Sequence, residues 1–139
     1  LARGAHSLAK AERLSGRKYI KQLFDRHRAH PSCKNYPLVV VWMPLPVSET
    51  GPPARAVFTV PKRQWKKAVV RNRIKRRMRE AYRLEKPMLY ACLQERPSPL
   101  AVLLLYIGRN EPEVHTLRKS VRKSFQRICQ WQSGQAPWQ

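Results

Sequence analysis

The apolar positions of this chain switch repeatedly between a helical and an extended period, and each switch marks an element boundary. Ser15 is a residue type suited to capping a helix start, and beyond it Ile20, Leu23, Phe24 and His27 fall on one helical face with Tyr19 beside it. Pro31 forbids continuation. Residues 36–43 are dense in Val and aromatic side chains and lack polar alternation after Pro37, which predicts a strand covered on both faces. Residues 44–53, with four prolines and a glycine, predict an exposed connection. Residues 54–60 predict a second strand, with Ala56, Phe58 and Val60 on one face and Val57 and Thr59 on the other. These two strands are expected to pair as a hairpin.

After Pro61 the period becomes helical. Val70, Ile74, Met78 and Ala81 form one apolar face of a helix expected to run to about Leu84, with Pro87 interrupting it and Leu89, Cys92 and Leu93 belonging to a short further helix. Residues 100–107 are continuously apolar, end at Gly108 and predict a buried strand. Val114, Leu117, Val121, Phe125 and Ile128 trace a final amphipathic helix introduced by Asn110 and Pro112, with Arg118, Lys119, Arg122, Lys123 and Arg127 facing outward. This order argues for an α+β fold with helices packed on one small sheet. A single domain over residues 14–131 is expected, preceded by a basic arm over 1–13 and followed by a frayed tail over 132–139.

Charge sharpens this picture more than composition does. The 139 residues include 29 Lys plus Arg against 8 Asp plus Glu, a formal charge of +21, while 42% apolar content suffices for a core. A polyanion is the expected partner. Nucleic acid is the commonest such partner, and the basic arm is expected to order on RNA. No apolar run approaches the roughly 20 residues that span a bilayer, and residues 1–10 lack the apolar core of a signal peptide. A cytoplasmic location without membrane association is expected, and the initial Leu suggests a trimmed or fragmentary N-terminus. Cys33, Cys92 and Cys129 are odd in number and widely separated, so buried or idle thiols are expected rather than a disulfide framework.

The charge is densest on residues 68–83, where Arg71, Arg73, Lys75, Arg76, Arg77, Arg79 and Arg83 are opposed within the helix only by Glu80. Such a cluster repels itself, and relief must come from outside the helix. Protein-borne catalysis has little material. The lone Asp25 and the scattered Glu12, Glu49, Glu80, Glu85, Glu95, Glu111 and Glu113 show no repeated ligand spacing for a two-metal nuclease. His27, His30 and Cys33 have an HxxHxxC spacing, but a fourth zinc ligand is missing. GxSxG, HExxH and P-loop spacings do not occur. No catalytic and no metal-ligating residue is assigned.

Ala68, Val69, Arg71, Asn72, Arg73, Lys75, Arg76, Arg79 and Glu80 closely resemble the RNR signature of the bacterial ribonuclease P protein subunit family. Arg-Asn-Arg is followed two positions later by Lys-Arg, and two beyond that by Arg-Glu, after a strand ending in the basic pair Lys62 and Arg63. The resemblance covers about residues 13–130. It implies a small mixed sheet packed with helices, in which the basic helix lies in a left-handed βαβ crossover, against the general rule of handedness. It also implies that this helix and its flanking loop contact a catalytic RNA subunit, and that a cleft between the sheet and the first helix takes the 5′ leader of precursor tRNA. The RNA, with Mg²⁺, would carry out hydrolysis, and the protein itself would hold no cofactor. No obligate protein partner is inferred.

On this basis the candidates for RNA-subunit contact are Lys62, Arg63, Lys66, Lys67, Arg71, Asn72, Arg73, Lys75, Arg76 and Arg79. Tyr19, Phe24, Tyr36 and Phe58 are candidates for stacking leader bases, with a core role as the alternative for Phe24 and Phe58. Trp65 either packs over the helix start or stacks on RNA. Two departures from the family pattern stand out: Pro61 replaces a common Ser, and residues 62–67 lack the usual Gly. The competing readings are a non-catalytic basic protein of another ribonucleoprotein, such as the ribosome, and an independent protein nuclease.

Overall fold

The computed structural model describes residues 8–25 and 29–134. Its elements in chain order are α1 (Arg17–Leu23), β1 (Ser32–Asn35), β2 (Leu38–Pro44), β3 (Ala54–Thr59), α2 (Ala68–Leu93), β4 (Leu100–Tyr106) and α3 (Val114–Ser133). The four strands form one mixed sheet in the order β1-β2-β4-β3.

The sheet order follows from the apolar strand β4. Every side chain of this strand is apolar or aromatic, and all but Leu105 are buried, so an edge position would waste its burial and expose its backbone. It lies between β2, antiparallel to it, and β3, parallel to it. The hairpin expected between β2 and β3 is therefore not formed: β4 separates them, and β2 instead pairs with β1, a short polar strand that the apolar pattern did not announce. Edge β3 alternates as expected, with Ala54, Ala56 and Phe58 buried and Arg55, Val57 and Thr59 partly exposed. Its open backbone is met by the N-terminal segment, where Leu14 N–H donates to the Ala56 carbonyl at 2.8 Å.

Two layers cover the sheet. On one face Leu38, Val40, Trp42, Val102, Leu104 and Phe58 pack against Ile74, Met78, Ala81 and Tyr82 of α2 and Leu117, Val121, Phe125 and Ile128 of α3. On the other, among the described residues, α1, Leu14 and Leu45 pack with Met43, Ala101 and Leu103, with Tyr19 and Ile20 at the margin. Consequently β2 is not fully covered, and Val39 and Val41 stay partly exposed. The N-cap of α1 is Gly16, whose φ is 86°, so the cap expected at Ser15 is displaced by one residue. His27, assigned to its stripe, lies outside the described residues, and α1 ends at Leu23.

Helix α2 is longer than expected. It continues through Pro87 for 26 residues instead of breaking there. Pro87 is exposed, so its ring stands on the outer face of the helix, while Leu89 and Leu93, two and six residues on, are buried and hold the helix to the core. Helices α2 and α3 run side by side in the same direction. Contacts progress together along both, from Arg77 with Pro112, through Glu85 with Arg118 and Arg122, to a disulfide between Cys92 and Cys129. The disulfide corrects the expectation of free thiols; 37 residues separate the pair in sequence, and helix packing brings their Cα atoms to 5.8 Å. Cys33 remains free and buried. No described helix is long and apolar enough to cross a membrane.

Residues 8–13, expected as part of a loose arm, are anchored by a buried ion pair. Glu12 accepts two bonds of 2.9 Å from Lys86 Nζ and one of 2.5 Å from the Tyr90 hydroxyl, and Ala9 N–H donates to it at 2.8 Å. Tyr90 spends its proton on Glu12, so Tyr82 must donate across the 3.2 Å between the two hydroxyls. Burial pushes the Glu12 carboxyl up, but the bonds from Tyr90, Lys86 and Ala9 outweigh it and hold the pKa below the ordinary value. Residues 1–7 and 135–139 lie outside the described residues.

Removing Lys86 strands a buried carboxylate, so Lys86→Ala should lower unfolding free energy by about 3–5 kcal/mol in denaturant titration; a loss under 1 kcal/mol would mean the pair is solvated. Because the folded pKa of Glu12 lies below its unfolded value of 4.5, the stabilisation is complete above that pH and is lost as pH falls through the folded pKa. Glu12→Gln should therefore show a shallower loss of stability below about pH 4.5 than the parent chain.

Candidate nucleic-acid interface

The strand ending at Thr59 and the helix starting at Ala68 are joined by a loop that carries Lys62, Arg63, Lys66 and Lys67, all exposed. Arg71 organises this loop. Its Nη1 donates to the carbonyls of Trp65 at 2.8 Å and Lys66 at 2.9 Å, so the guanidinium fixes the loop before it can meet any ligand. Trp65 is partly buried and packs against Tyr106 at the end of β4, ring centroids 6.2 Å apart, in keeping with the packing role expected for it. Gly108 permits this arrangement: a Cβ there would lie 2.2 Å from the Tyr106 hydroxyl, which bonds the Asn110 carbonyl.

The remaining cations of α2 divide by helical angle. On one flank Arg73 makes a two-pronged ion pair with Glu111 at 2.7 and 2.8 Å, and Arg77 donates to the Pro112 carbonyl at 3.1 Å and to Glu111 at 3.5 Å. Bonding to Arg73 holds the Glu111 carboxyl below its usual range. Arg83 pairs with Glu80 within the helix. The outward face and the opposite flank carry Asn72, Lys75, Arg76 and Arg79. Neither Lys75 nor Arg76 has an acidic partner among the described residues. Arg79 lies over the Phe58 ring at 6.0 Å, and burial, with the charge of Arg13 nearby, lowers its pKa. Arg13 thus joins this cationic face. Its position on the chain gave no signal, because the contact depends on the N-terminal segment bridging to Ala56 beside β3.

The structure redistributes the four aromatic candidates. Tyr19 and Phe24 stay together on α1, Tyr19 half-buried against the second core and Phe24 48% exposed at the helix end. Beside Tyr19, Lys10, Arg13, Ser15 and Arg55 line a groove of about 400 Å³, and Lys18 Nζ stands 5.4 Å from the Tyr19 ring. Phe58 belongs to the other face: it is 8% exposed and meets Tyr82 edge-on at 5.6 Å. It is a core residue with no face open to a base, which corrects its place among the stacking candidates. Tyr36 is 67% exposed but lies at the β1–β2 turn, against α3 rather than α1.

Most carboxylates are committed to ion pairs. Glu85, buried between the helices, accepts from Arg118 at 2.8 Å and from Arg122 at 3.1 Å, and Glu49 accepts from Arg55 at 2.7 Å. Of the HxxHxxC trio, His27 lies outside the described residues, His30 contacts the Gln22 carbonyl at 2.7 Å, and burial pushes the Cys33 thiol up. Among the described residues no three His, Cys, Asp or Glu side chains gather as a metal site.

Known proteins resemble this chain in sequence and in fold. A sequence model of the Ribonuclease P family matches residues 8–129. The ribonuclease P protein component of Porphyromonas gingivalis is 35% identical over 127 residues, covering 88% of this chain and 86% of its own. That of Chlorobium phaeobacteroides is 34% identical over 132 residues, covering 88% of both. Among solved structures, that of the Staphylococcus aureus RNase P protein is similar, with a TM-score of 0.61 at 18% identity over 84% of this chain and 94% of that one. With the family match running from the first described residue into the last turns of α3, this chain belongs to the ribonuclease P protein family.

Proposed function

We propose that this chain is the protein component of ribonuclease P and acts in 5′ maturation of tRNA by binding the RNA subunit through α2 and the loop before it. The observation that carries the reading is the outward face of α2, where Asn72, Lys75 and Arg76 stand beside Arg79 and Arg13 without a neutralising acid among the described residues. Such a face attracts phosphates, and releasing their counterions supplies the binding free energy. Arg73 and Arg77 form a second rank. Their pair with Glu111 is exposed, and an exposed ion pair is weak enough for a phosphate to displace.

The leader of precursor tRNA is assigned to the less covered face of the sheet. Tyr19 and Phe24 border it, and the partly exposed Val39, Val41 and Val57 offer flat apolar contact to unpaired bases without reading their sequence. Bond cleavage is assigned to the RNA subunit with Mg²⁺. The protein's part is to offset repulsion between two polyanions and to position the substrate.

Reconstitution tests the whole reading. The chain should raise precursor tRNA cleavage by its cognate RNA subunit at low Mg²⁺; no stimulation would overturn the assignment. For the helix, Lys75→Ala with Arg76→Ala should reduce RNA-subunit affinity and flatten the slope of log K against log salt by about 0.7–0.9 per lost contact. Arg71→Ala should instead lower the thermal midpoint while changing that slope little, since the side chain is spent on loop carbonyls. Glu111→Gln should release Arg73 and Arg77, steepening the salt slope and tightening RNA binding. For the cleft, Tyr19→Ala should weaken binding of precursor tRNA more than of mature tRNA, and equal losses would place Tyr19 elsewhere.

A further inference from the structure

Strand β2 begins at Leu38, opposite Tyr106 at the end of β4, so the β1–β2 turn lies at the end of the sheet from which α3 also starts. Parallel pairing of β3 with β4 brings the start of α2 to this same end. Here Tyr36 stands 67% exposed, a large aromatic with no core to fill. Around it Lys34, Lys119 and Lys123, all exposed, line a groove of about 350 Å³ with Asn35 and Ser120. The three lysines have no acidic partner among the described residues.

The turn is also rigidly mounted. Ser120, buried in α3, directs its hydroxyl at the carbonyls of Asn35 and Tyr36, the latter at 2.9 Å. Asn35 Nδ2 donates to the Ser124 hydroxyl at 3.2 Å. From the other side Ile107 N–H donates to the Pro37 carbonyl at 2.8 Å. The Tyr36 ring is therefore carried on a fixed backbone, which lowers the ordering cost of binding.

We propose that the β1–β2 turn and the adjoining face of α3 form a second nucleotide site, in which Tyr36 stacks on an unpaired RNA base while Lys34, Lys119 and Lys123 hold the flanking phosphates. An aromatic platform ringed by cations suits single-stranded RNA: every base has a π-face, and the lysines act as point charges without base preference. A duplex keeps its bases stacked on one another and could use only the lysines. The site is separate from the cleft beside α1, and it extends the basic end of the molecule from α2 across to α3. The proposal deepens the RNA-binding reading above and rests on it.

Binding of a labelled single-stranded RNA oligomer to the full chain, with the photo-crosslinked nucleotide located by peptide mapping, tests it. Tyr36→Ala should weaken binding by at least about fivefold and Tyr36→Phe should restore it, as loss and recovery of one stacked base require. Lys119→Gln with Lys123→Gln should lower the salt slope by about 0.7 per lost contact. A crosslink should map to the segment around Tyr36. Unchanged affinity in Tyr36→Ala, or crosslinks confined to α1 and the loop before α2, would overturn the proposal. So would duplex RNA competing equally while Tyr36→Ala binds normally, since that outcome describes a phosphate surface alone. Because neither the RNA subunit nor tRNA is present, this assay can fail while cleavage is still stimulated, and the reverse.

Discussion

A strand whose side chains are all aliphatic or aromatic and almost all buried must be covered on both faces, and the rest of this molecule follows from that demand on β4. Central placement between β2 and β3 satisfies it, with α2 and α3 on one face and α1 on the other. Parallel pairing of β3 with β4 then requires a crossover, and α2 supplies it. Both long helices consequently start at the same end of the sheet. That end gathers the loop before α2, the first turns of α2, the turn before α3 and the β1–β2 turn, so a packing requirement also concentrates the cations.

Acids are few, and their placement shapes the charged surface. Glu12 and Glu85 are buried and serve the fold: one pins the N-terminal segment to α2, and the other ties α2 to α3 through Arg118 and Arg122. Glu111 neutralises one flank of α2 at the surface, and the opposite flank has no paired acid among the described residues. A helix that seemed uniformly cationic is thus polarised around its axis. The polarity arises because the chain after β4 returns past Arg73, and that return is a property of topology rather than of the helix.

The core of α2 was legible because Ile74, Met78 and Ala81 repeat at the helical period, and β3 because Ala54, Ala56 and Phe58 alternate. Pairing was not legible. Alternation states which face of a strand is buried but not which strand lies beside it, so β2 and β3 read as neighbours until β4 came between them. Pro87 misled for a related reason: local steric rules predict a break, whereas the burial of Leu89 and Leu93 outweighs one missing hydrogen bond on the solvent face. The disulfide escaped because Cys92 and Cys129 become neighbours only once α2 and α3 lie side by side.

By itself the sequence determined the fold class, the polyanionic partner and the basic helix, since periodicity, net charge and the Arg-Asn-Arg spacing are local properties that survive without coordinates. Tertiary structure alone decided where each candidate side chain stands. Phe58 went to the core, Tyr36 to the face of α3, Arg71 to loop carbonyls and Arg13 to the cationic face of α2. These assignments depend on distances across elements far apart in the chain, and no local period encodes them.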